Sequence, residues 1–313
     1  MNDSRNWKDI NMRLINRGRP STYLKPALAN QDGDLSEMNL KKMGKPYSFS
    51  NMLIIAAFAV KSVFKIGYRE AAGNVKDFLE SAGVKLYPDF RTVQWRVSKM
   101  EKGGIKFRVR QRGGSNLAVI IDMSGVKSEN DGEYRTVKYG KIKVWKEIHV
   151  AIDKTTHKIL NMEVTENDIR DTKEFIPLLE PIVTENHVDT VITDGGYDSE
   201  ENFEYCDDNN IKTLMPVHIN AVKGRHKRKR IQEQLGYVFE RGFTKRNLHL
   251  TKEIRRQNQD NWKKTSGYHS RSLVETVLSV FKGTFGEYAF SNSKGMKEKE
   301  LLLKAVIYNE FLA

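Results

Sequence analysis

The chain has 313 residues, with 53 Lys and Arg against 40 Asp and Glu, so its formal net charge is +13. This length predicts about two domains, and the 39% hydrophobic content excludes a wholly disordered chain. The longest purely apolar run, Met52 to Val60, is too short to span a bilayer, and the single cysteine, Cys206, excludes an internal disulfide. The N-terminus also lacks an apolar signal segment, so we expect a cytoplasmic protein with no membrane contact. A pI near 9.5 favours a polyanionic partner, most often nucleic acid.

The N-terminal third is expected to be helical after an irregular start. Residues 1–48 are polar and interrupted by prolines, which predicts irregular structure. The segment from Ser48 to Lys65 is apolar nearly all round, and the amphipathic segment from Tyr68 to Ser81 ends near Gly83. These patterns predict two consecutive helices.

A third helix is predicted after Asp89, which can cap it. Val93, Val97 and Met100 recur at helical spacing, and the opposite face carries Thr92 and two candidate DNA contacts. Those two residues are Arg96 and Lys99. Three short helices with a basic last helix resemble a helix-turn-helix DNA reader, and a plain helical packing domain fits equally well.

Beyond a basic, glycine-flanked linker, the pattern changes to strands. Leu117 to Ile121 is a short β-branched run that ends at Asp122, and Val144 to Ile152 and Lys158 to Val164 follow as further strands. Together they predict an antiparallel three-strand meander.

Helices and strands then alternate. The pattern predicts a helix from Thr172 to Leu179 stopped by Pro181, a strand from Val188 to Thr193, a helix from Ser199 to Asn209 and a strand from Ile211 to Met215. This order predicts a mixed α/β, ribonuclease-H-like domain with a five-stranded mixed sheet flanked by helices. We therefore expect an α-helical N-terminal domain with linker over residues 1–110 and the catalytic domain over 111–313.

The positive charge is concentrated in a basic insertion around residues 220–264. Fourteen Lys and Arg against four acids occupy Lys223 to Lys264, whereas His187 to Asn210 holds eight acids and no Lys or Arg. Either run alone is typical of a solvated face, but together they favour a nucleic-acid enzyme. The candidate phosphate contacts in the insertion are Lys227, Arg228, Lys229 and Arg230. Two further helices are predicted from Gly267 to Phe285 and from Met296 to Leu312.

Two acids are predicted at the carboxyl ends of apolar strands, Asp122 and Asp194. Acids in such positions project into the crevice where open sheets place their sites. Each alone is typical of a turn at a strand end, but two of them on neighbouring strands indicate a shared site.

The helix after the basic insertion carries polar residues at offsets of 0, 3, 7 and 14: Tyr268, Arg271, Glu275 and Lys282. On an α-helix these fall within an arc of roughly 60°, opposite an apolar face. Arg and Lys on one face of a helix can bind phosphates, and the acid can ligate a metal. An ordinary amphipathic helix has the same pattern.

The spacing Tyr-x2-Arg-x3-Glu-x6-Lys resembles the signature of DDE transposases from bacterial and archaeal insertion sequences. The stretches Ile120 to Gly125, Trp145 to Asp153 and Thr193 to Asp198 are similar to the same group. The resemblance covers roughly residues 115–313, with a weaker likeness before it. One departure is Gly196, where alanine commonly precedes the tyrosine.

The resemblance implies that Asp122, Asp194 and Glu275 are the catalytic triad and metal ligands. Carboxylates gathered at one point require cations, which implies Mg²⁺ or Mn²⁺, with two ions expected. Tyr268, Arg271 and Lys282 would hold the DNA phosphate beside the cut.

The resemblance also implies the partners: double-stranded DNA, as terminal inverted repeats and target, and a second copy of the chain in a DNA-bound homodimer. We expect DNA strand cleavage and strand transfer in a prokaryotic cytoplasm. The alternatives are a silent transposase-derived DNA-binding protein and a ribonuclease-H-like nuclease that only hydrolyses. His149 is expected to be structural, with an approach to the metals as the alternative, and Trp262 is expected to pack or to stack on a base.

Overall fold

A computed structural model describes residues 7–100, 116–128, 145–166, 171–218, 227–236, 251–291 and 293–311. By their internal contacts the residues form two units, Met1–Phe107 with Phe281–Ala313, and Arg108–Val280. The division near residue 107 is close to the boundary expected at 110. Residues 281–313, however, group with the N-terminal helices rather than with the sheet.

The first unit is built from helices. Its N-terminal part contains α1 (Trp7–Arg17), α2 (Pro20–Ala29), α3 (Gln31–Asn39), α4 (Asn51–Phe64), α5 (Tyr68–Ser81) and α6 (Phe90–Lys99). The expectation of irregular structure before residue 48 is therefore wrong. Pro20 stands in the first turn of α2, where proline is tolerated, and Tyr23, Leu24 and Ala27 bury the other side of that helix.

Helix α4 is the core of this unit. Ser50 caps it by accepting a hydrogen bond from the Leu53 backbone N–H at 3.1 Å, and eight of its residues are buried. Asp89 caps α6 in the same way, accepting from the Thr92 N–H at 2.7 Å, as the sequence predicts. Within the described residues no single helix is long and apolar enough to cross a membrane, and α4 with α5 meets that test only as a pair bent by 119°.

The second unit contains a mixed sheet. Its strands are β1 (Leu117–Ser128), β2 (Trp145–Asp153), β3 (Ile159–Glu166), β4 (Val188–Ile192) and β5 (Lys212–Leu214), in the order β3-β2-β1-β4-β5. The three-strand meander is antiparallel, and β1, β4 and β5 run parallel. This confirms the predicted mixed α/β fold, in which an antiparallel three-strand meander is joined by two parallel strands.

Four helices of this unit lie between or after these strands in the sequence. They are α7 (Asp171–Glu185), α8 (Glu200–Asp208), α9 (Lys227–Leu235) and α10 (Lys252–Ser266). Helix α7 continues through Pro181, so the predicted stop there is wrong, and its buried face includes Phe175, Leu178 and Ile182. Ser199 caps α8, with its hydroxyl accepting from the Asn202 N–H.

The last elements follow the basic insertion. A 3₁₀ turn, Tyr268–Arg271, leads into α11 (Ser272–Phe285), and a two-residue strand, β6 (Tyr288–Ala289), precedes α12 (Lys294–Phe311). Helix α11 contributes Ser272 to Val280 to the second unit and the rest to the first.

Candidate active site

The strand register brings Asp122 and Asp194 to matching positions. Strands β1 and β4 are parallel neighbours, and Ile120 lies opposite Ile192. Each acid follows its member of this pair by two residues. Adjacent parallel strands therefore deliver both carboxylates to one edge of the β1–β4 pairing.

Asp122 does not end its strand, contrary to the sequence interpretation. Strand β1 continues to Ser128, and Asp122 lies within the antiparallel ladder opposite Val150. The pairing of β1 with β4 ends near Asp122, so this acid lies beyond the end of β4. Its own backbone remains paired with β2.

Asp194 is held by the turn that follows it. Its Oδ1 accepts a hydrogen bond from the Gly196 N–H at 2.8 Å, which caps the 3₁₀ turn Gly195–Tyr197. The buried amide of Asn202 donates to the Tyr197 carbonyl at 2.8 Å and so fastens this turn to α8. The turn thereby fixes the direction of the Asp194 carboxylate.

Arg271 connects two of the three predicted acids. Its Nη1 donates to Asp122 Oδ2 at 2.8 Å, and its Nη2 donates to Glu275 Oε1 at 2.5 Å. Asp122 is 8% exposed, whereas Glu275 is exposed in the first turn of α11. One guanidinium thus lies between two carboxylates that are 153 residues apart in the chain.

The pKa of Asp122 shows that the three acids influence one another. Burial raises this pKa; the Met123 N–H and Arg271 oppose the rise, and the charges of Asp194 and Glu275 add to it. Burial acts to lower the pKa of Arg271, but the three acids and Tyr268 together outweigh burial, so the pKa of the guanidinium is raised. The site therefore concentrates negative charge and attracts a cation.

Tyr268 lies within the field of the same acids. Burial raises its pKa to about 12; Arg271 opposes the rise, whereas Asp194, Asp122 and Glu275 add to it. Its hydroxyl is therefore protonated near neutral pH and has a proton to donate. The Tyr268 ring packs against Trp262, with centroids 5.7 Å apart.

The polar stripe predicted on one α-helix is divided between two kinds of helix. Tyr268 and Arg271 lie in the 3₁₀ turn, and Glu275 and Lys282 lie on α11. The predicted arc of 60° therefore does not describe the stripe. The tighter turn instead directs Arg271 back toward both Asp122 and Glu275.

A second polar group lies on the other face of the sheet. Glu147, His149 and Asp171 each place a potential ligand atom within 4.8 Å of the others. Because Asp122 pairs with Val150, its side chain and that of His149 point to opposite faces. Glu147 and His149 share a face at a spacing of two, a signal that sequence reasoning missed.

His149 is buried and bonded at both ring nitrogens. Nδ1 lies 3.0 Å from the Tyr197 hydroxyl, and Nε2 lies 3.2 Å from the Thr165 hydroxyl. Burial lowers its pKa to about 4, so the ring is neutral near pH 7. The two hydrogen bonds fix the orientation of the ring, and the structural role expected for His149 stays a prediction.

Asp171 is the acid of this group that approaches Asp194. A Cβ placed on Gly196 would lie 3.0 Å from both Asp171 Oδ2 and Asp194 Oδ1. Burial raises the pKa of Asp171, and the charge of Asp194 adds to the rise. Glycine at position 196 thus allows two acids to approach one point of the backbone.

Two of the predicted DNA contacts are buried. Arg96 donates to the Phe49 carbonyl at 3.0 Å and to Asn51 Oδ1 at 2.6 Å. Arg230 is 8% exposed and donates to Asp198 Oδ1 at 3.3 Å. These arginines hold helices in place, because their guanidinium groups are directed into the protein. Lys99 is exposed on the last turn of α6.

The remaining cations of the basic insertion are described only in part. Lys227, Arg228 and Lys229 lie in the first turn of α9, and Arg230 anchors that helix beside the loop after Asp194. Residues 219–226 and 237–250 of the insertion, and the linker at 101–115, lie outside the described residues. Lys282 lies further along α11, beyond Glu275.

Two family models match the chain, both described as a transposase DDE domain. One matches residues 113–309, more than half of the chain, and the other matches residues 15–131. The first match includes all three predicted acids and the four-residue signature.

Solved structures similar to this chain include DNA-recombination assemblies. The Drosophila P element transposase strand transfer complex aligns with a TM-score of 0.34 at 10% identity, covering 89% of this chain and 83% of that one. A simian T-cell lymphotropic virus intasome in complex with PP2A regulatory subunit B56 gamma gives a TM-score of 0.26 at 12% identity, covering 79% and 72%. A pre-cleavage Mos1 transpososome gives 0.22 at 10% identity, covering 86% and 78%. At these low TM-scores, the family matches are the stronger finding.

Proposed function

Because the chain belongs to the family of DDE-domain transposases, we propose that Asp122, Asp194 and Glu275 are its catalytic carboxylates. Membership makes the protein a DNA transposase, an enzyme of DNA strand cleavage and strand transfer. The observation that carries the residue assignment is the bridge from Arg271 to both Asp122 and Glu275, next to the register-matched Asp194.

The donor set fits a hard divalent cation. The three acids offer only oxygen ligands, and the Arg271 guanidinium already occupies a place where positive charge is stabilised. The family uses divalent metal; we propose Mg²⁺ or Mn²⁺, with two ions held by Asp122, Asp194 and Glu275. When bound, such ions activate the attacking oxygen and neutralise charge on the reacting phosphate.

The chain's own residues position the DNA. We propose that Tyr268 donates its hydroxyl proton in a hydrogen bond to a phosphate oxygen, because its high pKa keeps it protonated. Arg271 would hold the phosphate in a bidentate contact once its two carboxylate partners were engaged by bound cations. Lys282 is assigned to a further phosphate on the strength of the sequence resemblance.

The proposed partners are the terminal inverted repeats and the target DNA. The protein would bind them as a homodimer in a prokaryotic cytoplasm. Residues 1–110 would supply DNA recognition and 111–313 catalysis. Exposed Lys99 and the cations Lys227, Arg228 and Lys229 are the proposed phosphate contacts outside the signature. Arg96 and Arg230 are left out of this proposal because their guanidinium groups are used internally.

The experiment is a cleavage and strand-transfer assay with Asp194→Asn on duplex carrying the DNA that flanks the gene, in magnesium. The substitution keeps the side-chain shape and removes its charge, so both activities should fall below detection while DNA binding persists. The matched control is Asp189→Asn, an exposed acid on β4 whose carboxylate accepts a bond from the Thr190 hydroxyl. Cleavage by Asp194→Asn at the control rate would remove Asp194 from the triad.

The two alternatives give different results in the same assay. A silent DNA-binding protein would bind the duplex without cleaving it in any variant. A nuclease that only hydrolyses would release nicked or cut ends without joining them to target DNA.

A further inference from the structure

The first unit encloses a cavity that the catalytic proposal does not use. Its volume is about 540 Å³, within the range of small-ligand sites. Its walls come from the end of α4, the start of α5, one residue of α6, the loop around Phe290 and helix α12. All of these elements belong to the same unit.

Positive charge dominates the cavity wall. Three lysines, Lys61, Lys65 and Lys304, line it against one carboxylate, Glu300. Lys304 is buried and donates to Glu300 Oε1 at 2.8 Å and to the Tyr288 carbonyl at 3.0 Å. The negative charge of Glu300 is therefore neutralised by the buried Lys304.

The same carboxylate is also committed to the neighbouring loop. Glu300 Oε1 accepts from the Phe290 N–H at 3.1 Å, and Oε2 accepts from the Ser291 N–H at 2.8 Å and its hydroxyl at 2.7 Å. Among the described residues no carboxylate lies within ion-pair distance of Lys61 or Lys65. The cavity therefore keeps an excess of two positive charges, which favours an anion.

A hydrogen-bonding group in the wall has no partner. The hydroxyl of Ser62 is buried, and no hydrogen-bond partner for it lies among the described residues. Ser62 lines the cavity one residue after Lys61. Leaving a buried polar group unpaired costs free energy, so this hydroxyl is an available donor for an oxygen of a ligand.

Aromatic rings complete the wall. Lys61 lies 5.8 Å and Lys304 lies 5.3 Å from the centroid of the Phe290 ring, and Lys61 lies 5.1 Å from that of Tyr68. A ring next to cations offers a surface on which a base or sugar packs while an attached phosphate meets the lysines. Inorganic phosphate would use only the charged part of this wall.

We propose that this cavity binds a nucleotide unit, with the phosphate on Lys61, Lys65 and the Ser62 hydroxyl and the base or sugar against Phe290. The phosphate belongs either to a free mononucleotide or to a nucleotide of a DNA chain. The site is separate from the acidic cluster and requires no divalent metal.

The test measures binding to the full chain by calorimetry in EDTA, with three probes: inorganic phosphate, dAMP and a short DNA duplex. The variants are Lys65→Gln, the double substitution Lys61→Gln with Lys65→Gln, and Ser62→Ala. Lys65 is exposed, so its substitution leaves the core intact. The matched control is Lys76→Gln on α5, whose ammonium pairs with Glu80 at 3.8 Å outside the cavity.

We expect nucleotide affinity to fall about tenfold for each lysine neutralised and by less for Ser62→Ala, with Lys76→Gln unchanged. If the lysine variants lose affinity for dAMP, the ligand is a free nucleotide. If they lose affinity only for the duplex, the ligand is a nucleotide of a DNA chain. The proposal is overturned if neither nucleotide probe binds, if inorganic phosphate binds as tightly as dAMP and the duplex, or if the double variant matches Lys76→Gln.

These outcomes are independent of the catalytic proposal. Calorimetry with dAMP in EDTA reports on the cavity alone, because the proposed catalytic carboxylates belong to the other unit and their chemistry requires a divalent metal. If the cavity bound no nucleotide, the expected result of the cleavage assay would be unchanged. If Asp194→Asn still cleaved DNA, the expected binding of nucleotide to the cavity would be unchanged.

Discussion

Arg271 is expected to stabilise the metal-free site and to compete with metal ions for it. We predict that Arg271→Gln destabilises the protein in EDTA and strengthens its binding of Mn²⁺. In the parent the guanidinium must leave the carboxylates before ions can occupy them, and the variant does not have this cost.

The magnitude follows from the two contacts. The bond to Asp122 at 2.8 Å joins side chains that are 25% and 11% exposed, and a hydrogen bond between charged groups contributes about 1.5–3 kcal/mol. The bond to Glu275 involves a carboxylate that is 56% exposed, so it adds only about 0.2–1 kcal/mol. We therefore expect Arg271→Gln to lower the free energy of unfolding in EDTA by about 2–4 kcal/mol.

The variant should also show a distinctive dependence on pH. Burial already raises the pKa of Asp122, and removal of Arg271 should raise it further. An acid whose pKa is higher in the folded state than in the unfolded state makes the folded protein less stable as pH rises through that value. The stability deficit of Arg271→Gln should thus grow as pH rises above the pKa that Asp122 has in the parent.

The assay combines urea unfolding in EDTA with Mn²⁺ binding followed by electron paramagnetic resonance. The matched control is Lys263→Gln, since Lys263 forms a partly exposed ion pair with Asp260 at 3.6 Å. The control should unfold within about 1 kcal/mol of the parent, with Mn²⁺ affinity unchanged. If Arg271→Gln unfolds at the parental urea concentration and binds Mn²⁺ no more tightly, the guanidinium does not act as the counterion of this site.

Two further predictions concern a buried histidine and the basic insertion. Because the pKa of His149 is lowered to about 4 from an ordinary 6.5, the unfolded chain binds the additional proton between these values, so stability should fall by up to about 3 kcal/mol as pH drops from 6.5 to 4. Urea titrations across this range should show a flatter dependence for His149→Gln, and an unchanged slope would contradict the assignment. In the insertion, neutralising Lys227, Arg228 and Lys229 together should flatten the plot of log affinity for DNA against log salt by about 0.9 for each phosphate that these side chains neutralise in the parent. Arg230→Gln should instead lower stability by about 3 kcal/mol, because it removes one member of an ion pair whose side chains are only 10% and 7% exposed. A flatter salt dependence for Arg230→Gln, together with a loss of stability in the triple variant, would refute this distinction.

The sequence was informative where periodicity and local capping decide the structure. The alternation of Ile148, Val150 and Ile152 predicted β2, and Asp89 and Ser199 cap helices that were located within one or two residues. These signals are local, so no distant residue is needed to read them.

The sequence does not predict the structure where a side chain's position depends on a residue far away in the chain. Arg96 reads as a cation on an exposed helix face, but residues more than forty positions earlier accept its hydrogen bonds. Pro26 reads as a helix breaker, yet burial of Tyr23 and Leu24 compensates for it in α2. The bridge made by Arg271 depends on a 3₁₀ turn that helical periodicity does not reveal.

The interrupted makeup of the first unit has a consequence for synthesis on the ribosome. Its N-terminal helices are made first, but α12, which buries Leu301, Leu303 and Ile307, is made only after the whole of Arg108–Val280. Helix α4 therefore lacks its packing contact with α12 while residues 108–280 are synthesised. During that interval its apolar surface is exposed to other chains. The nascent protein should depend on chaperones most at this stage, and a slower ribosome over residues 108–280 would lengthen it.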